Sequence, residues 1–168
     1  MNVSPDLANN IGLSLDTAVS VGVAGSIKAL RASGITMGRI ELMEHEAKAG
    51  SRIGGHTVEK HVGRTEAQLR ERLARETDRK AVSSFSDLRT AEWAISNVMQ
   101  ANFMQIKTWA QSSPNYTLVL NGRVGRNVGY GVIRATGELV PMSNVRVTLK
   151  CKAYNGMPYY ILTAYLEL

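Results

Sequence analysis

The chain has 168 residues, of which 44% are hydrophobic and 20% charged, and it carries a net charge of +6. That composition fits one globular domain with an appendage and excludes a disordered or fibrous chain. The single cysteine, Cys151, excludes an internal disulfide and a cysteine-based zinc site, so the fold must be held by its core, and Cys151 itself reads as a buried strand residue. The charge is uneven: residues 1–50 carry four basic and five acidic side chains, residues 51–168 sixteen and nine. A polyanionic partner, such as nucleic acid, a membrane surface or an acidic protein, is therefore expected for the C-terminal part.

Residues 1–52 differ in texture from the rest. The stretch "LSLDTAVSVGVAGSIKAL" is rich in Ala, Val, Ser and Gly and reads as a loosely packed helix or helical hairpin. It serves as a linker or a piece of a preceding region, or it makes transient contact with a membrane or translocation apparatus. Ile11–Leu30 is too polar to span a bilayer, because Asp16, Lys28 and three glycines interrupt it. No signal peptide is visible after Met1. A boundary is expected near Gly50–Gly54, with the main domain at 53–168. His45, between Glu44 and Glu46, is expected on the surface.

The main domain opens with Gly54 to Thr65, "GGHTVEKHVGRT". Thr65 and Gln68 have the spacing of a capping box, so a helix should run from Glu66 to about Glu76 with Leu69 and Leu73 on one stripe. A second helix start lies at Ser84-Phe85-Ser86-Asp87. A long amphipathic helix should follow to about Ala110, with Leu88, Ala91, Ile95, Val98, Ile106 and Trp109 near one face, and with Trp93 and Phe103 as further packing groups. After Pro114 the apolar period changes to two, and "YTLVL", "GYGVIRA", "NVRVTLKCKAY" and "PYYILTAYLEL" read as strands. Helices followed by strands predict an α+β fold, with N-terminal helices packed on a C-terminal antiparallel β-sheet.

The last hairpin can be registered residue by residue. Asn155-Gly156 is a two-residue turn signal. With Tyr154 opposite Met157, the pairs Cys151/Tyr160, Leu149/Leu162, Val147/Ala164 and Val145/Leu166 form one apolar face. The pairs Lys152/Tyr159, Lys150/Ile161, Thr148/Thr163 and Arg146/Tyr165 form a basic, hydroxyl-rich face. That second face is either plain solvated surface or a polyanion-binding one.

His56 and His61 are five residues apart, which in one helix points them about 140° away from each other. A zinc pair on a helix needs spacing four and a third ligand, so no metal site is expected. His61 and Arg72 lie eleven apart, about 16 Å along one straight helix. Gly63 and the Thr65 cap break that helix, and a turn there permits both to face one cavity. Each histidine is otherwise a surface or capping residue.

"GGHTVEKHVGRT", then "LRERL" with Arg72 eleven residues after His61, then the terminal "YYILTAY", resembles the bacterial ribonuclease A-like toxin domains at the C-terminal tips of contact-dependent inhibition proteins and other polymorphic toxins. The resemblance covers residues 53–168. It implies a ribonuclease A-like fold without disulfides and a catalytic set of His61, Arg72, Thr163 and Tyr165. It departs from the family at the end, where Leu166-Glu167-Leu168 replaces the common proline after Tyr165.

The implied reaction is metal-independent RNA cleavage by internal transesterification, with no cofactor. The partners it implies are RNA rather than DNA and a cognate immunity protein, and a monomer is expected. The setting it implies is secretion as the C-terminal part of a larger effector that acts in a target cell's cytoplasm. His61 is the natural base, Arg72 the phosphoryl ligand, Tyr165 a proton or hydrogen-bond donor, and Thr163 a contact to a base edge or a phosphate oxygen. His56, Lys60, Arg64, Arg123, Arg126, Thr148 and Lys150 are candidate substrate contacts; for the charged ones, solvated surface charge is an equal reading. The alternative function is a non-catalytic RNA-binding or protein-interaction domain that uses the same basic face.

Overall fold

A computed structural model describes residues 40–168. The Ala/Val/Ser/Gly-rich stretch read as a helix or hairpin lies outside the described residues. A 3-10 turn at Leu42–Glu44 is followed by helices α1 (Thr57–His61) and α2 (Glu66–Arg75), strand β1 (Ala81–Phe85), helices α3 (Leu88–Ala101) and α4 (Phe103–Gln111), and strands β2 (Leu118–Arg123), β3 (Gly129–Ile133), β4 (Leu139–Met142), β5 (Asn144–Lys150) and β6 (Tyr160–Glu167). The fold is α+β, as expected, but its strands form two three-stranded antiparallel sheets, β1-β3-β4 and β2-β5-β6.

The capping box at α2 is complete. Thr65 Oγ1 accepts the Gln68 N–H at 3.2 Å, and Gln68 Oε1 accepts the Thr65 N–H at 2.9 Å. Leu69 and Leu73 on this helix bury against Val82 and Val132 to make a small core of their own. Asp87 caps α3, its carboxylate accepting the Thr90 N–H at 2.8 Å. The expected long helix is two helices. Asn102 Nδ2 and the Asn102 N–H both donate to the Val98 carbonyl, and the chain leaves the helical path there. Trp93 and Phe103, expected to pack inside, are surface residues at 39% and 37% exposure. Ser84 and Phe85, read as a helix start, belong to β1, because Ser84 and Phe85 pair with Tyr130 and Gly129.

The main core lies between α3 and the β2-β5-β6 sheet: Ala91, Ile95, Val98 and Met99 face Leu120, Val145, Val147 and Leu149. Each such aliphatic side chain contributes about 1.5–3 kcal/mol by leaving water. Ile40 and Leu42 belong to the same core, and His45, expected on the surface, is 2% exposed. Cys151 falls just past the end of β5 and is half-buried.

The Asn155-Gly156 turn has φ of 48° and 77°, and Tyr154 and Met157 exchange both backbone hydrogen bonds. Four expected pairs are present: Val145/Leu166, Arg146/Tyr165, Val147/Ala164 and Thr148/Thr163. The rest of the register differs. A bulge between Thr148 and Leu149 pairs Leu149 with Ile161 and Lys150 with Tyr160, leaving Leu162 as the extra residue of β6. The bulge keeps Ile161 and Leu149, both 0% exposed, on the core face. Cys151 and Lys152 consequently lack the partners expected for them.

β6 is an edge strand, and its outward N–H groups need acceptors. Three buried side chains supply them: His45 Nδ1 accepts from Ile161 at 3.0 Å, Thr57 Oγ1 from Ala164 at 2.9 Å, and Ser83 Oγ from Leu166 at 3.2 Å. The Ser83 hydroxyl also donates to the Leu166 carbonyl at 2.7 Å, and the His56 N–H donates to the Leu162 carbonyl at 3.1 Å. Gly55 passes so close that a Cβ there would overlap the Ile161 carbonyl oxygen. Thr57→Val keeps the shape and removes the acceptor, leaving the Ala164 N–H buried and unpaired. Denaturant unfolding should show a loss of about 1–3 kcal/mol. Thr57→Ser, which retains the oxygen, should lose less.

Candidate active site

The hydrogen-bonded edge of β6 brings α1 against the wet face of the hairpin. α1 is short, and Glu46 holds its start: the carboxylate accepts the Val58 N–H at 2.9 Å and the Glu59 N–H at 3.3 Å. His61 is its last residue. Gly63, at φ 64°, then turns the chain into the Thr65 cap, so that α2 folds back and Arg72 returns to His61. Arg72 Nη1 lies 3.3 Å from His61 Nδ1, and the His61 ring stacks on Tyr165 with centroids 5.4 Å apart at 30°. Thr163 stands two residues from Tyr165 on the same strand, opposite Thr148.

These groups share a cavity of about 700 Å³. His56, Lys60, His61, Arg72, Thr148, Thr163 and Tyr165 all line it. His56 is the cap of α1 with φ −145° and so stands outside the helical turn that would point it away from His61. Its ring centroid is 6.4 Å from that of His61. Four candidate contacts lie outside this cavity. Arg64 lines a smaller one beside Lys60 and Arg72, Arg123 and Arg126 line a third, and Lys150 lines none of these three cavities.

Seven further polar lining residues were not among the candidates: Glu76, Asp78, Arg79, Lys80, Ser83, Arg146 and Glu167. Arg146 had a sequence signal, since the hairpin register places it opposite Tyr165. Glu76 lies one helical turn after Arg72, a spacing that signals an ion pair. With Asp78 included, five cationic side chains face three carboxylates around the cavity.

The contacts of Arg72 set the electrostatics. Its Nε and Nη2 donate to Glu76 at 2.9 and 3.4 Å, and Nη1 donates to the Lys60 carbonyl at 3.2 Å. This pairing holds the Glu76 carboxyl below its ordinary value. A guanidinium cannot accept a hydrogen bond, so its contact with His61 requires Nδ1 to be the acceptor and the ring proton to sit on Nε2. Burial, the Arg72 charge, and the nearby His56 and Lys60 push the His61 pKa down to about 3, opposed by the Ser83 backbone. Burial, and then Lys60, lowers His56 also. Thr163 lines the cavity, but its Oγ1 is itself buried and makes no hydrogen bond within the protein.

An α+β domain without disulfides, with histidines, a stacked tyrosine and a cationic cavity over an antiparallel sheet, has the make-up of a ribonuclease A-like domain. The model of the bacterial CdiA-CT RNAse A domain matches residues 55–165, and the chain belongs to this family of contact-dependent inhibition toxin domains. Among solved structures it is similar to a chain of the CdiA-CT/CdiI complex from Y. kristensenii 33638, with 28% identity and a TM-score of 0.59 over 68% of this chain and 100% of that one. No curated protein matches the chain.

The buried histidines make stability depend on pH. Burial lowers His45 to about 4, and His61 lies at about 3, against an ordinary value of 6.5 in the unfolded chain. Below pH 6.5 the unfolded chain binds protons that the folded chain does not. Stability should therefore be level above that pH and fall as pH drops towards 4, by about 1.4 kcal/mol per pH unit for each histidine at full slope. Unfolding titrations should show this slope, and His45→Asn should remove the His45 share.

Proposed function

We propose that the domain, whose core takes in Ile40 and Leu42 as well as residues from 53 onward, is an endoribonuclease that cleaves RNA by metal-independent transesterification and is neutralised by a cognate immunity protein. It forms the C-terminal part of a larger secreted effector, with the residues before Ile40 as a linker or pre-toxin segment, and acts in the cytoplasm of a target cell. The observation that carries this reading is the convergence of His61, Arg72, Thr163 and Tyr165, drawn from three separate segments, in one cationic cavity. Membership of the CdiA-CT RNAse A family and the likeness to a chain solved in complex with CdiI support the activity and the partner.

The substrate supplies its own nucleophile. His61 Nδ1 takes the 2′-hydroxyl proton, the 2′-oxygen bonds to phosphorus, and the bond from phosphorus to the 5′-oxygen breaks. Tyr165 gives its hydroxyl proton to the departing 5′-oxygen, and both groups recover by exchange with solvent. The products are a 2′,3′-cyclic phosphate and a 5′-hydroxyl end. A phenol is a weaker acid than a second imidazolium, so the donor step is slower than with two histidines.

In the free protein Arg72 occupies the Nδ1 lone pair that must receive the proton. The substrate phosphate draws Arg72 away, since a guanidinium favours two phosphoryl oxygens over a ring nitrogen. That movement frees Nδ1, and the phosphate charge offsets the cations that depress His61. Binding thus raises the basicity of His61 where the reaction needs it. Charge stabilisation of this kind contributes about 10²–10³-fold, and an acid–base group about 10²–10⁴-fold. The Thr163 hydroxyl holds a base edge or a phosphate oxygen.

Purified protein on RNA and on DNA in EDTA tests this reading. RNA should be cut and DNA left intact, and a folded His61→Ala variant should lose at least 10²-fold in kcat/KM. Wild-type rates from His61→Ala, or equal cutting of DNA, would remove the mechanism. The acid limb of kcat/KM reports the free protein and should lie well below 6.5, towards about 3. The acid limb of kcat reports the complex and should lie higher. Arg72→Gln, by removing a neighbouring charge, should move the free-protein limb up while slowing the reaction.

A further inference from the structure

Arg123 and Arg126 stand outside the catalytic cavity, and what they stand beside gives them a role. The Arg126 guanidinium lies over the Trp93 ring, 3.8 Å from its centroid. Trp93 projects from the outer side of α3 and keeps 39% of its surface exposed. The Arg126 loop is fixed by a tight turn in which its N–H donates to the Val124 carbonyl at 2.8 Å. The pair borders a cavity of about 520 Å³ with Asn97, Gly122, Arg123 and Gly125 also on its walls. None of the residues lining it is acidic. Gly122 is required for the shape, since a Cβ there would meet Val98 Cγ2 at 2.8 Å and push β2 off α3.

The sheet register links this cavity to the catalytic one. Arg123 pairs with Asn144, and Asn144 with Glu167, a residue on the wall of the catalytic cavity. Two strand spacings make that step about 10 Å. Arg123 ends this row on the outer strand and also lines the second cavity.

We propose that Trp93, Arg126 and Arg123 form a second subsite for single-stranded RNA, in which a base stacks on the Trp93–Arg126 pair and Arg123 holds an adjoining phosphate. Every base has a face to stack, so such a platform accepts any sequence and adds affinity for longer strands. Charge favours this occupant: two arginines and no carboxylate face the space, on a chain of net charge +6. The choice of RNA over DNA rests on the ribonuclease reading; the geometry of the platform does not.

The test is tryptophan emission from the full chain carrying His61→Ala, titrated with oligouridylate. Of the two tryptophans, Trp109 is 4% exposed and packs edge-on to Tyr159, so the response to a bound strand comes from Trp93. A longer single strand should quench the emission and a uridine dinucleotide should not. Trp93→Phe should abolish the response. Trp93→Ala and Arg126→Gln should each weaken binding of the longer strand about tenfold, and Arg123→Gln should lower the salt slope of binding by about one.

Unchanged emission at saturating RNA, or full affinity in folded Trp93→Ala and Arg126→Gln variants, overturns the proposal. Emission that responds to an immunity protein and not to RNA also overturns it, and assigns the face to a protein partner. Quenching by RNA in a chain whose wild type fails to cut RNA would sink the ribonuclease reading and leave the subsite standing. Cleavage with a silent Trp93 would do the reverse.

Discussion

The site depends on how the free edge of β6 is closed. An edge strand offers a row of unpaired N–H groups, and among the described residues no further strand takes them. His45, Thr57 and Ser83 accept from Ile161, Ala164 and Leu166 in turn, and each is at most 4% exposed. These three side chains come from the segment before α1, from the first turn of α1, and from β1. Satisfying the edge therefore fixes three distant parts of the chain against the strand that carries Thr163 and Tyr165. The bulge at Leu162 belongs to the same arrangement, since the freed Leu162 carbonyl takes the His56 N–H and the residues beyond it return to register.

With the edge closed, electrostatics define the cavity. Glu76 holds Arg72 by two contacts, Arg72 reaches His61, and His61 lies stacked on Tyr165. Burial and cations keep His61 neutral in the free protein, in the state a proton acceptor must have. The same surroundings make it a weak base in the free protein. Arg146, paired with Glu167 at 3.1 Å and about a third exposed, adds charge whose effect solvent largely screens. A cavity with five cations and three carboxylates draws in a polyanion while keeping each arginine directed.

Much of this was legible in the chain, for identifiable reasons. The capping box and the Asn-Gly turn are local devices, so α2 and the lower half of the β5–β6 hairpin could be read from a few residues. The bulge could not, because it answers to contacts with Gly55 and His56 a hundred residues away. β1 is hard to read because "AVSSF" is short and partly polar, and its two serines are buried beside Leu166 and Arg64, partners that only the tertiary fold supplies. His45 looked like surface between two glutamates for the same reason. Trp93 and Phe103 looked like core because composition does not reveal which turn of a helix faces out. The grouping of His61 with Arg72 rested on a spacing and a turn, and their grouping with Thr163 and Tyr165 on a family resemblance; no periodicity in the sequence connects them. Arg123 and Arg126 were legible as cations and illegible as neighbours of an exposed indole.

The central claim is that the 2′-hydroxyl of RNA is the nucleophile and that His61 receives its proton. The most direct measurement is the chemistry of the new ends when the protein cuts a defined RNA in EDTA, read by mass spectrometry. The account predicts a 2′,3′-cyclic phosphate on one fragment and a 5′-hydroxyl on the other, with a strand lacking the 2′-hydroxyl at the cut position left whole. Fragments bearing a 5′-phosphate, or cleavage at the position that lacks the 2′-hydroxyl, would contradict it.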